Sequence, residues 1–127
     1  MSNWIVARVR SFKNAFAGLF FNLWKERNFQ VQMVIAILVV SAGFLLSIER
    51  SDWMIVILTI GVVLSAEIMN TSVEKLCDLY SEKNDPKIRI IKDSAAAAVL
   101  LVSVAALIIG VVVFLPYLLR LLGGVAA

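Results

Sequence analysis

Apolar residues fall into three long runs, preceded by a segment where they recur at helical spacing among basic residues. In that first segment, residues 1–30, Trp4, Ile5, Phe12, Phe16, Leu19, Phe20, Leu23 and Trp24 are interleaved with Arg8, Arg10, Lys13, Lys25 and Arg27. A basic, aromatic-rich amphipathic helix of this kind lies in the membrane interface. A signal peptide fits poorly, because charges recur throughout and no continuous apolar stretch precedes a cleavage site. The three runs, 31–48, 53–69 and 94–122, are predicted to span the membrane. Each is close to the length needed to cross ~30 Å of hydrocarbon at ~1.5 Å per residue. The four residues Glu49–Asp52 make spans one and two a tight antiparallel hairpin. The second connection, Ser81–Lys87, is polar, and its Asn84–Pro86 stretch carries turn chemistry, with Asp85 held out of the helical region by the following proline.

Composition supports a membrane location. The 127 residues are 61% hydrophobic and 17% charged, whereas an ordinary soluble domain is nearer half apolar and a quarter charged. A chain this short and apolar cannot bury its aliphatic surface alone, so it needs lipid and copies of itself. The predicted fold is an all-α membrane protein of one domain: a surface helix followed by three transmembrane helices. With one cysteine and no histidine, an internal disulfide and histidine-based acid–base chemistry are both excluded. Cys77 reads as a small packing residue. Trp4, Trp24 and Trp53 read as interface anchors rather than nucleic-acid stacking platforms.

Charge sets the expected orientation. Ten of the 12 lysines and arginines precede span one or lie between spans two and three; only Arg50 and Arg120 fall on the other side. The positive-inside bias puts the N-terminus and second loop in the cytoplasm and the C-terminus outside. ATP is available on that inner side.

The candidate chemistry lies at the cytoplasmic end of span two. Residues three, four and seven apart share a helix face, so Glu67, Asn70, Thr71, Glu74 and Asp78 form one polar stripe. The opposite face carries Ile68, Met69, Val73, Leu76 and Cys77, which predicts that the helix continues past the bilayer to about residue 80. An intramembrane carboxylate is costly and by default suggests function. Partly desolvated, Glu67 can serve as a base toward an alcohol. Glu74, nearer water, suits Mg²⁺, which takes one or two carboxylates plus phosphate oxygens and water. Structural alternatives exist: Glu67 can pair with a lysine such as Lys92, and Asp78 reads as a solvated face residue. Lys92 can neutralise phosphate, while Asp93 can cap the third helix. The alanine run 95–98 permits close helix approach. A P-loop and the protein-kinase motifs are both missing from the sequence. Composition and spacing therefore reach a carboxylate-rich site at the membrane boundary and go no further.

The run Glu67-Ile68-Met69-Asn70-Thr71-Ser72-Val73-Glu74, the Lys92-Asp93 pair before an alanine-rich span, and the upstream Glu26-Arg27-Asn28-Phe29 resemble the prokaryotic diacylglycerol kinase and undecaprenol kinase family. The resemblance covers essentially the whole chain. It implies a bacterial inner-membrane homotrimer with composite sites at subunit interfaces, transferring the γ-phosphate of MgATP to the primary hydroxyl of a lipid alcohol. On that resemblance Glu67 is the catalytic base, Glu26 and Glu74 bind the metal, and Asn70, Lys92 and Asp93 line the nucleotide and its γ-phosphate. Arg10 and Asn14 fall on the nucleotide side and Ala96 on the substrate side. Asn14 stands where family members often carry tyrosine, Gln30 where they often carry arginine, and Gln32 where the undecaprenol branch often has histidine. The Glu26–Phe29 run, Asp52-Trp53, Glu74-Lys75-Leu76, Phe114-Leu115-Pro116, and Ala96 in place of a serine favour undecaprenol over diacylglycerol as substrate. Two other classes compete: a small oligomeric transporter or channel coupling protons through Glu67, and an assembly subunit whose polar stripe only pairs helices.

Overall fold

The computed structural model describes residues 2–80 and 85–124, which form four helices: α1 (Ser2–Lys25), α2 (Arg27–Leu45), α3 (Arg50–Tyr80) and α4 (Pro86–Gly124). The last three are long and apolar enough to cross a membrane, which bears out the predicted architecture of one surface helix and three spans. Residues 81–84, most of the expected polar connection, lie outside the described residues.

The surface helix stops earlier than its hydrophobic pattern suggests. Glu26 is extended, with φ −106° and ψ 111°, and Arg27–Gln30 belong to α2. Across the break, the Gln30 amide donates to the Leu23 carbonyl at 3.1 Å, satisfying one of the orphan acceptors at the end of α1. Phe29 beside the break is fully buried and anchors the elbow. The aromatic residues of α1, among them Trp4, Phe12, Phe16, Phe20 and Trp24, stay exposed, as a helix resting on lipid requires.

The α2–α3 hairpin is closed by a Schellman stop three residues before the expected end of span one. Ser47 adopts φ 50°; its N–H donates to the Phe44 carbonyl at 3.2 Å, and the Ile48 N–H donates to the Gly43 carbonyl at 3.1 Å. Gly43 is needed here for space. A Cβ at this position would stand 2.8 Å from Cη2 of Trp53 and 3.2 Å from Cδ1 of Ile48. Around this corner Ile48, Val56 and Val113 form a small core, with Trp53 and Tyr117 packed against it.

Helix α4 starts eight residues before the predicted third span. Asp85 is its N-cap, accepting a hydrogen bond from the Lys87 N–H at 2.8 Å, and Pro86 fills the first turn where no donor is required. Asp93 is thus inside the helix and is not its cap; the proline fixes the earlier start. Pro116 is accommodated within α4. At the hairpin end of the molecule, the Tyr117 hydroxyl donates to Asp52 Oδ2 at 2.6 Å and accepts from the Glu49 N–H at 3.0 Å, tying α4 to the hairpin. Tyr117→Phe removes both bonds and is expected to destabilise the protein by about 1 kcal/mol per hydrogen bond lost. A lower thermal midpoint in detergent, with unchanged lipid phosphorylation, is the expected result.

At ~1.5 Å per residue α3 is about 46 Å long, well beyond the ~30 Å of hydrocarbon. Its C-terminal turns, with the start of α2 and the start of α4, build the polar end of the molecule. Most large apolar side chains of α4, from Leu100 to Leu122, remain exposed. That surface is suited to lipid or to neighbouring copies.

Candidate functional site

The polar stripe of α3 is turned inward. Glu67 is 3% exposed, and Asn70 and Thr71 are equally well buried. Glu67, Asn70 and Glu74 line a pocket of about 300 Å³ whose other walls are Asn28 from the start of α2 and Ala96, Val99, Leu100 and Ser103 from α4. The small side chain of Ala96 makes room for the pocket where the two long helices cross.

Within the pocket the Asn70 amide nitrogen donates to Glu74 Oε1 at 3.1 Å, which orients the carboxylate and leaves Asn70 Oδ1 buried without a protein partner. Ser103 Oγ is likewise buried and unpaired. Buried polar atoms normally find partners, so these two mark where a ligand's polar groups can be received. The Asn28 side chain faces Glu67, and Glu74 and Glu26 lie within electrostatic reach of it. Two carboxylates thus line the pocket, and a third, Glu26, stands near it. Glu26 carries a cation of its own: Lys75 Nζ stands 2.8 Å from Glu26 Oε1.

The remaining predicted residues lie around this centre. Lys92 reaches the stripe about one turn beyond Glu74, where its ammonium donates to Asp78 Oδ1 at 2.5 Å rather than pairing with Glu67. The hydrogen bond to Asp78 is the main cause that raises the Lys92 ammonium above its ordinary value, so it stays charged. Asp78 is exposed, as expected of a solvated residue, yet it also holds Lys92. Asp93 points away from the pocket and lies 3.7 Å from Arg89 Nε on the exposed face of α4. Arg10 and Asn14 are exposed on α1 and are not among the pocket residues of this chain. Cys77 is buried and free, consistent with a packing residue.

Three contributors escaped the sequence reading: Asn28, Ser103 and Lys75. Asn28 is part of the Glu26–Phe29 motif, which was the available signal for it. Ser103 is a lone polar residue in an apolar run, a weak signal that burial alone turns into a pocket wall. Ser103 also lines a second cavity of about 520 Å³, an apolar groove between α2, α3 and α4 that extends through Val63, Val56 and Ile109 to Leu118. The polar pocket therefore adjoins the groove.

Comparison with known proteins identifies the family. Residues 13–114 match the prokaryotic diacylglycerol kinase family. The chain is 39% identical over 109 residues to the undecaprenol kinase of Bacillus subtilis (strain 168), covering 86% of this chain and 89% of that protein. It is 35% identical over 113 residues to a diacylglycerol kinase of Synechocystis sp., covering 88% of this chain and 65% of that protein. On the match across most of its length, the chain belongs to the prokaryotic diacylglycerol kinase family and is a membrane lipid kinase that uses ATP.

Proposed function

We propose that the protein phosphorylates the terminal hydroxyl of undecaprenol at the cytoplasmic face of the bacterial inner membrane, with its N-terminus inside and its C-terminus outside, as a homotrimer. The observation that carries this reading is the junction of the carboxylate pocket with the apolar groove at Ser103. A lipid alcohol needs such a pairing: a polar end for the hydroxyl and a long apolar channel for the chain. From Ser103 to Leu118 the groove runs about 22 Å along α4. Its wall is mostly aliphatic, which suits a polyprenyl chain better than the ester carbonyls of diacylglycerol. Ala96 in the pocket wall also offers no hydroxyl to such an ester.

In this mechanism Glu67 accepts the proton of the lipid hydroxyl as its oxygen attacks the γ-phosphorus. The new oxygen–phosphorus bond forms as the bridging bond to ADP breaks. Lys92, kept charged by Asp78, balances phosphate oxygens as charge moves toward ADP. Asp93, Arg10 and Asn14 line the nucleotide from outside the pocket, in a site that neighbouring copies complete. Among the described residues, no group of three carboxylate or thiol side chains could hold a metal ion unaided. The donors nevertheless fit a nucleotide-borne Mg²⁺: Glu74, Glu26 and the orphaned Asn70 Oδ1 offer a few hard oxygens, and the nucleotide and water supply the others. When bound, Mg²⁺ neutralises the phosphate oxygens and fixes their geometry.

A transporter coupled through Glu67 needs a polar path across the bilayer. The groove beyond Ser103 is lined mainly by aliphatic residues, which disfavours that alternative.

Substrate choice is tested by presenting the purified protein with labelled MgATP and an equimolar mixture of undecaprenol and diacylglycerol in one bilayer. The expected result is label chiefly in undecaprenyl phosphate. Label chiefly in phosphatidic acid would reverse the substrate assignment.

A further inference from the structure

Lys75 has no place in the reaction outlined above, yet it makes the only ion pair among the described residues that joins the α1–α2 elbow to α3. Its ammonium lies 2.8 Å from Glu26 Oε1 and 4.9 Å from the centroid of the Phe21 ring. Glu26 is the extended residue at the break itself, and Phe21 belongs to the last turns of α1. One cation on α3 thus grips both sides of the elbow, by charge on Glu26 and by a cation–π contact on Phe21.

The contact answers an electrostatic problem. Glu26 lies within reach of Glu67, which already has Glu74 nearby. Without a cation, repulsion would drive Glu26 outward and carry the elbow with it. The Glu26 side chain is 23% accessible and that of Lys75 49%, so the acid end of the pair is the better shielded from solvent.

We propose that Lys75 is a positioning residue: by pairing with Glu26 and resting on Phe21 it fastens the surface-helix elbow to α3 and keeps Glu26 where a metal–nucleotide complex can use it. This rests on the reading of Glu26 as a metal-binding acid. Lys75 acts through Glu26 and does not touch the reacting atoms.

Hydrogen exchange of the peptide spanning residues 22–30 tests the clamp without nucleotide, and steady-state kinetics tests its consequence. Lys75→Met is expected to speed exchange in that peptide. It should raise KM for MgATP about tenfold, the lower end of losses seen when a residue supporting a metal ligand is removed, with kcat changed less than about threefold. Lys75→Arg keeps the charge and should restore both. Glu26→Gln should loosen the same peptide less than Lys75→Met does, because it removes the repulsion together with the ion pair. Unchanged exchange in Lys75→Met overturns the clamp, and a fall in kcat at constant KM overturns the positioning role. Failure of the wild-type protein to phosphorylate any lipid would instead overturn the role given to Glu26, leaving the exchange result to decide the clamp.

Discussion

Glu67→Gln is expected to lower lipid phosphorylation by about 10²–10⁴-fold, the range supplied by a positioned general base. The substitution keeps the size and one acceptor oxygen of the side chain but removes its basicity. The fold should tolerate it, because the amide remains opposite Asn28 in a polar pocket. It also removes one of three neighbouring carboxylates, so stability should be equal or higher. Turnover in detergent micelles, read beside the thermal midpoint, separates the two effects. Near wild-type turnover would show that the proton of the lipid hydroxyl goes elsewhere. Loss of turnover with loss of fold would show a structural role.

A second large effect is expected at Glu74. Glu74→Gln retains an oxygen that can accept from the Asn70 amide, so the local hydrogen bond survives while the charge is lost. The site then keeps Glu26 and the Asn70 carbonyl oxygen as hard donors, with Glu26 already shared with Lys75. The Mg²⁺ concentration for half-maximal activity should rise by at least about tenfold to a hundredfold, since even outer-sphere losses at metal sites reach that scale. Titration of activity against Mg²⁺ at fixed nucleotide checks it. An unchanged Mg²⁺ requirement would remove Glu74 from the metal site.

The architecture was legible because membrane spans carry their signal in length and hydropathy, both local properties of the sequence. The stripe was legible for a similar reason: spacings of three and four put Glu67, Asn70 and Glu74 on one helix face before any tertiary contact is known. Helix ends were less so. The amphipathic pattern of α1 runs through Glu26, and neither proline nor glycine marks the break; the elbow depends on Gln30 reaching Leu23 and on the burial of Phe29. The start of α4 carried a local signal in Asp85-Pro86, but hydropathy placed the span later because the first turns are charged. The contacts that required the fold itself were those between distant residues. Tyr117 with Asp52, Lys92 with Asp78, and Lys75 with Glu26 each join separate helices. The spacing of four between Arg89 and Asp93 puts them on one helix face, but not until α4 is packed is that face seen to be an exposed one.

The division of labour between the two glutamates makes the sharpest claim, because it assigns them different steps. Equilibrium binding of a non-hydrolysable MgATP analogue to the wild-type protein, Glu67→Gln and Glu74→Gln tests it in one series. The expected result is that Glu67→Gln binds as tightly as wild type, although it cannot transfer phosphate, while Glu74→Gln binds at least about tenfold more weakly. The opposite pattern, with binding lost in Glu67→Gln and kept in Glu74→Gln, would contradict the assignment of base and metal ligand.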